Sequence, residues 1–229
     1  IDHTVYTVDL LGCGRSDKSS ITYTNFVYVQ MISDFIKKII GQKTDVIASG
    51  FSGSFVTMAC HNEKELFNKI MLVNPPSLTQ LKQMPNRKDR LLKAALEIPI
   101  FGTLVYHMIV SRDNINNLFI EKMYYNPFHV DNQMADAYYE AAHKGGYYTR
   151  FLYSSLAAKY ININICHALK ALDNSIYIVE GETEPNGKAV TDDYCASNPA
   201  IEVSVLKETK HLPHVEAPEA FLEQVKIFF

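Results

Sequence analysis

Residues 48–55 read Ala48-Ser49-Gly50-Phe51-Ser52-Gly53-Ser54-Phe55. The apolar run Val46-Ile47-Ala48 leads into this stretch, and a helix is expected over residues 54–61. Small residues between an apolar run and a helical segment mark a strand that turns sharply into a helix. Two serines and a glycine compete for the apex of that turn, and whichever stands there decides what chemistry the bend can carry.

Working outward, the apolar segments alternate with helical ones. Val5-Tyr6-Thr7-Val8 reads as a short β-branched and aromatic strand, followed by the loop Asp9-Leu10-Leu11-Gly12-Cys13-Gly14-Arg15-Ser16. Thr24 or Asn25 is a candidate helix cap. Ile32, Phe35, Ile36, Ile39 and Ile40 form the stripe of a helix packed on a core, and Gly41 stops it. Ile70-Met71-Leu72-Val73 is a further strand, ending at Asn74-Pro75-Pro76. The strands are continuously apolar rather than alternating, which predicts an α/β fold with a mostly parallel sheet and helices on both faces.

The rhythm changes over residues 77–165, which read as helices punctuated by Pro85, Pro99, Pro127 and Gly145-Gly146. Sheet character returns at Ser175-Ile176-Tyr177-Ile178-Val179 and at Glu202-Val203-Ser204-Val205-Leu206, and a last helix starts at Pro218-Glu219. The predicted organisation is a core of residues 1–76 and 166–229 interrupted by a helical cap, residues 77–165. A strand at once after Ile1 and a helix running into Phe229 suggest that both ends are cut, leaving one sheet edge uncovered.

Composition narrows the function. With 229 residues, 47% hydrophobic and 21% charged, the chain is long enough for one sizeable domain with a lid. A net charge of −3 without a basic run argues against nucleic acid or an anionic membrane as partner. The longest apolar stretch, residues 98–110, holds Pro99, Gly102 and His107 and is too short to span a bilayer. Cys13, Cys60, Cys166 and Cys195 show no metal or CxxC spacing and read as buried free thiols of a reducing, cytoplasmic environment. Neither metal nor cofactor is expected, and the oligomeric state is open.

Three features stand in chain order: the bend at 48–55, the strand end Glu180-Gly181-Glu182-Thr183-Glu184-Pro185, and His211-Leu212-Pro213-His214-Val215-Glu216-Ala217-Pro218-Glu219. The Asp9 loop resembles D-x-x-G-x-G-x-S, the histidine stretch resembles H-x-P-H-x-E-x-P-E, and Gly181–Pro185 resembles G-x-x-D-P with glutamate in place of aspartate. Together they resemble the α/β-hydrolase superfamily, in its capped dehalogenase- and esterase-like branch, over nearly the whole chain. The resemblance implies an inserted helical cap, His211 as the catalytic histidine and Glu184 as the acid that orients it. It also implies an oxyanion donor in the backbone N–H of Phe51, and a second donor from a loop before the Asp9 strand.

Positions two before and two or three after an elbow nucleophile must be small, because strand and helix nearly touch there. Ser49 fails, since Ile47 and Phe51 flank it. Ser52 gives Gly50-Phe51-Ser52-Gly53-Ser54, close to G-x-S-x-G, but sets Phe55 at a crowded contact. Gly50 is flanked by Ala48, Ser52 and Gly53, all small. The favoured register therefore puts Gly50 in the nucleophile position, and Ser52 is the nucleophile only in the second register. Glycine keeps such a bend while removing the attacking group. The expected activity is hydrolase-type chemistry on a small, largely apolar molecule, with His211 as base. A ligand-binding protein without turnover and a nucleophile-free general-base enzyme are the alternatives. Apolar cap residues such as Leu91, Leu92, Leu96, Phe101, Leu104 and Met108, with the pairs Tyr124-Tyr125, Tyr138-Tyr139 and Tyr147-Tyr148, are expected to cover the pocket in part. Arg15 and Lys18 are expected to be solvated, and His214 structural or exposed.

Overall fold

The computed structural model describes residues 3–130 and 132–229. Four strands, β1 (Thr44–Ser49), β2 (Phe67–Val73), β3 (Ile176–Gly181) and β4 (Glu202–Leu206), form one sheet in the order β1-β2-β3-β4. Every neighbouring pair is parallel, with Val46 opposite Ile70, Leu72 opposite Ile178 and Val179 opposite Ser204. Parallel neighbours need crossover connections, and helices supply them. The α-helices are α1 (Asn25–Phe35), α2 (Phe51–Asn62), α3 (Leu78–Leu81), α4 (Arg87–Glu97), α5 (Pro99–Ile109), α6 (Arg112–Leu118), α7 (Asn132–His143), α8 (Thr149–Ala157), α9 (Cys166–Ala171), α10 (Gly187–Ser197), α11 (Pro213–Glu216) and α12 (Pro218–Phe228), of which α2, α3 to α9 and α10 lie between successive strands.

The central strands β2 and β3 are apolar on both faces because both are covered. Ile70, Leu72, Ile176 and Ile178 point into the main core with Val29, Phe55, Ala59, Leu169 and Tyr194. Met71, Tyr177, Val179 and Leu206 point the other way, where Phe221, Val225 and Phe228 of α12 pack on them. Each large apolar side chain buried this completely stabilises the fold by about 1.5–3 kcal/mol. Tyr28 stacks on Phe55 at 4.9 Å between centroids, joining α1 to α2.

The Asp9 loop folds on itself. The Arg15 amide donates to Asp9 Oδ2 at 2.8 Å and the Ser16 hydroxyl to the Asp9 carbonyl at 2.6 Å. Lys18 differs from the solvated residue expected: its ammonium donates to the carbonyls of Cys13, Gly14 and Ser16 and clamps the loop.

Three further sequence expectations need correction. Val5-Tyr6-Thr7-Val8 forms no strand, and Val5 is 80% exposed; β1, the outermost strand, carries no partner on its free side among the described residues. A β-rich run with nothing to pair with stays unladdered, whatever its propensity. The stripe after Ile32 is broken because α1 ends in a π turn, Ile36–Ile40, closed by Gly41 at φ 73°. The wider turn shifts the helical phase, so Ile36 is buried while Ile39 faces out. Of the four thiols only Cys60 is buried, and Cys13 is exposed.

Residues 77–165 contain only helical elements among those described. Ile115, Phe119, Tyr124 and Ala135 form their own small core, which closes on Leu212 and Val215 of the histidine segment. Buried Arg150 braces the helices by donating to the Tyr147 carbonyl at 2.5 Å and the Glu97 carbonyl at 3.3 Å. No single described helix is long and apolar enough to cross a membrane; α4 and α5 reach that length and apolarity only jointly, with a 96° bend between them.

Candidate active site

A cavity of about 380 Å³ opens where the carboxyl ends of the four strands meet. Gly50 and Phe51 reach it from the end of β1, Asn74 to Ser77 from β2, Glu180 and Glu184 to Gly187 from β3, and His211 from beyond β4. Strand ends of an open parallel sheet gather loops from several elements at one place, which makes them the usual site of chemistry in such folds.

Gly50 sits at the apex between β1 and α2, with φ 56° and ψ −132°. Its N–H donates to the Val73 carbonyl at 2.9 Å and prolongs the ladder by one bond before the chain turns. A Cβ built on Gly50 would meet nothing within 4 Å. The small residue three positions on has a different reason. A Cβ on Gly53 would come within 3.1 Å of the Leu72 side chain, so strand and helix approach closely there. Spacing and backbone thus agree on Gly50 as the apex. Ser52 lies inside α2 and is absent from the cavity lining, and Ser49 ends β1 facing solvent. Phe51 opens α2, so its N–H is among those a helix start leaves without an intrahelical acceptor.

His211 and Glu184 are brought together. His211 Nδ1 lies 3.1 Å from Glu184 Oε1 and 3.2 Å from Oε2. A carboxylate can only accept, so the Nδ1 N–H donates to it, and Nε2 is the ring nitrogen left for other partners. Glu184 is held by turns on either side: its N–H donates to the Gly181 carbonyl, and its own carbonyl accepts from Gly187 N–H, both at 3.0 Å. Glutamate therefore reaches the histidine from the position where the resembled pattern has aspartate.

The histidine segment is anchored from two directions. His211 N–H donates to the Met123 carbonyl at 3.1 Å. Glu216 accepts from the Tyr125 N–H at 2.6 Å and from the Lys210 N–H at 2.7 Å, so one carboxylate ties the helical insert to the histidine. His214, expected to be structural or exposed, is half-buried; burial, then nearby His211, pulls its pKa below the ordinary imidazole value.

Sequence reasoning missed two residues of the site. Asn74, buried at the end of β2 with φ 42°, donates to the carbonyls of Lys210 (2.8 Å) and His211 (3.0 Å) and accepts from Gly181 N–H (3.0 Å). It joins three strand ends and fixes the histidine. The Asn-Pro-Pro stretch carried the signal, since asparagine tolerates positive φ better than other residues with side chains. Asn74→Ala leaves the Gly181 N–H buried and unpaired, and chemical denaturation should show a loss of about 3 kcal/mol.

Glu180 is the other. It occupies a core-facing position of β3, two residues after Ile178, and is only 5% exposed. Burial pushes its carboxyl pKa above the ordinary value, and the charges of Glu184 and Asp192 push the same way, while the Thr191 hydroxyl opposes them. The folded chain therefore binds this proton more tightly than the unfolded chain. Stability falls as pH rises from 4.5 through the folded-state value. Glu180→Gln does not titrate. Denaturation at several pH values should find it more stable than the native chain at neutral pH, with the gap closing toward pH 4.5.

Most apolar cap residues stand away from this cavity. Leu91, Phe101, Leu104 and Met108 are exposed, Leu96 and Tyr106 are buried within the cap, and no residue of α4 to α8 lines the cavity. The lining is a mixture of polar loop residues, prolines and Phe51. Among the described residues no cluster of three or more His, Cys, Asp or Glu is poised for a metal.

The model of the alpha/beta hydrolase family matches residues 2–224. No curated protein sequence matches the chain. Among solved structures, the epoxide hydrolase CorEH is similar at a TM-score of 0.75 and 13% identity, over 96% of this chain and 80% of that one. The bromoperoxidase from Bacillus anthracis follows at 0.73 and 11% identity, over 96% and 79%. The 2-hydroxy-6-oxo-6-phenylhexa-2,4-dienoate hydrolase from a Rhodococcus species gives 0.72 and 16% identity, over 96% and 78%. The family match spans nearly the whole chain and agrees with the parallel sheet and its covering helices: the chain belongs to the alpha/beta hydrolase family.

Proposed function

We propose that the protein performs general-base chemistry of the hydrolase type on a small molecule, with His211 as base, Glu184 as its orienting acid and no covalent serine intermediate. The observation that carries this reading is Gly50: it occupies the apex where a nucleophile would stand, shares the cavity with His211, and offers no side chain. A bond-forming serine is needed for an acyl-enzyme. Without one, Nε2 of His211 can take a proton from water, which then attacks, or from the substrate itself. The Phe51 N–H stands beside the apex as donor to a developing oxyanion. The apolar contribution to binding comes from Phe51, Val190 and the three prolines of the lining.

The test is a serine-directed fluorophosphonate together with a panel of small chromogenic esters. The native chain should remain unlabelled, and Ser52→Ala should leave turnover unchanged. Stoichiometric labelling of Ser52, or loss of turnover in Ser52→Ala with the fold intact, would overturn the reading.

A further inference from the structure

One whole side of α5 is left uncovered. Its outward residues Ile100, Phe101, Leu104 and Met108 are between 52% and 78% exposed. Ile100, Leu104 and Met108 follow at intervals of four and Phe101 stands beside them, so the four share one side of the helix. The other side is fixed to the cap. Tyr106 is buried and donates to the Ala142 carbonyl at 2.8 Å, and a Cβ on Gly102 would lie 1.8 Å from the Leu96 carbonyl oxygen. The helix therefore cannot roll its apolar stripe inward. Ile98, at the corner with α4, and Leu91 on α4 are exposed as well. Scattered apolar residues on a surface are ordinary, but a contiguous set marks a docking face.

Charge selects the partner. Residues 82–97 hold five bases, Lys82, Arg87, Lys88, Arg90 and Lys93, against two acids, whereas the whole chain holds 22 bases and 25 acids. The mild net charge of the chain hides this local excess. Both acids are already answered, Asp89 by Lys159 and Glu97 by Lys93. Arg87, Lys88 and Arg90 are exposed and make no ion pair among the described residues. Leu91 lies one turn from Arg87 and Lys88, which joins the cations to the apolar set. An apolar stripe beside unanswered cations fits an anionic lipid surface, where acyl chains take the one and headgroups the other. A second copy docked face to face would bring the same cations together, with no free acid on α4 or α5 to meet them. The two helices have eleven residues each and a 96° bend between them, so each is about half the length needed to cross a bilayer and suited to lie in its surface.

We infer that the corner made by α4 and α5 docks on an anionic lipid bilayer, with Ile100, Phe101, Leu104 and Met108 entering the acyl boundary and Arg87, Lys88 and Arg90 meeting the headgroups. This surface is distinct from the cavity, which no residue of either helix lines, and the inference does not rest on the proposed function.

The chain contains no tryptophan, so Phe101→Trp places a single fluorescent reporter on the stripe. Its emission should shift to the blue with vesicles of phosphatidylcholine carrying about 30% phosphatidylglycerol, and much less with phosphatidylcholine alone. When the intact chain is sedimented with the same vesicles, the anionic ones should bind at least about tenfold more tightly, a preference that fades as salt is raised. The triple variant Arg87→Gln, Lys88→Gln, Arg90→Gln should erase the preference. The pair Ile100→Ser, Leu104→Ser should weaken binding to anionic vesicles by at least about tenfold. Phe26, exposed on α1, supplies the control: Phe26→Trp should show no shift, and Phe26→Ser should bind as the native chain does. All the substituted side chains are exposed, and circular dichroism confirms that each variant is folded. Failure to bind either vesicle, equal binding of both, equal shifts at positions 26 and 101, or binding that survives the serine pair would each overturn the assignment. So would a dimer in analytical ultracentrifugation that the serine pair dissolves, which would give the face to a second copy. The readout is attachment, so its failure leaves the role of His211 untouched.

Discussion

Gly50→Ser should place a hydroxyl at the apex of the bend and make it reactive as a nucleophile. The new hydroxyl would stand at the apex of the bend, where a Cβ meets nothing within 4 Å, in a cavity that also holds His211. The backbone there, at φ 56°, is strained for any residue with a side chain, so the variant should be less stable by about 1–3 kcal/mol. Fluorophosphonate should label residue 50 stoichiometrically, against none in the native chain, and activated esters should show a burst as the acyl-enzyme accumulates. A folded variant that resists the label would mean that the apex is not aimed at the imidazole. Intact mass and a tryptic map give the answer directly.

His211→Ala should remove turnover by about 10²–10⁴-fold, the usual contribution of a positioned acid-base group. The effect should fall on kcat more than on KM, because the proton is transferred only in the transition state. Glu184→Gln should fall between the two, since an amide can still meet Nδ1 but cannot steady an imidazolium. The His211 side chain is about one-third exposed, so truncation should leave the denaturation midpoint nearly unchanged. Absence of turnover by the native chain across the ester panel, or equal rates for chain and variant, would count against a base at this position.

The core was legible because its determinants are local. β4 spans the five residues read from its β-branched run, and β2 and β3 extend the predicted strands by a few residues at their ends. The bend was legible because crowding leaves a mark in composition: Ala48 and Gly53 are small where β1, α2 and Leu72 converge. What stayed hidden depends on partners far along the chain. Val5-Tyr6-Thr7-Val8 has strand chemistry and no neighbour to ladder with. Asn74 looks like an ordinary turn residue until Lys210, His211 and Gly181 arrive around it. Glu180 reads as one acid among several in Glu180-Gly181-Glu182-Thr183-Glu184, and only the strand register shows that it points inward while Glu182 caps the Glu208 amide in the open. The cap residues were apolar enough to suggest a pocket roof, but apolarity does not say which way a helix face turns.

One arrangement reaches beyond the cavity itself. The backbone of His211 hangs from Met123, and Glu216 grips Tyr125 and Lys210 at once, so the imidazole and the lid share a hinge plate. A substitution that loosens residues 123–125 is therefore expected to reach the imidazole through its backbone, without touching any residue of the cavity lining.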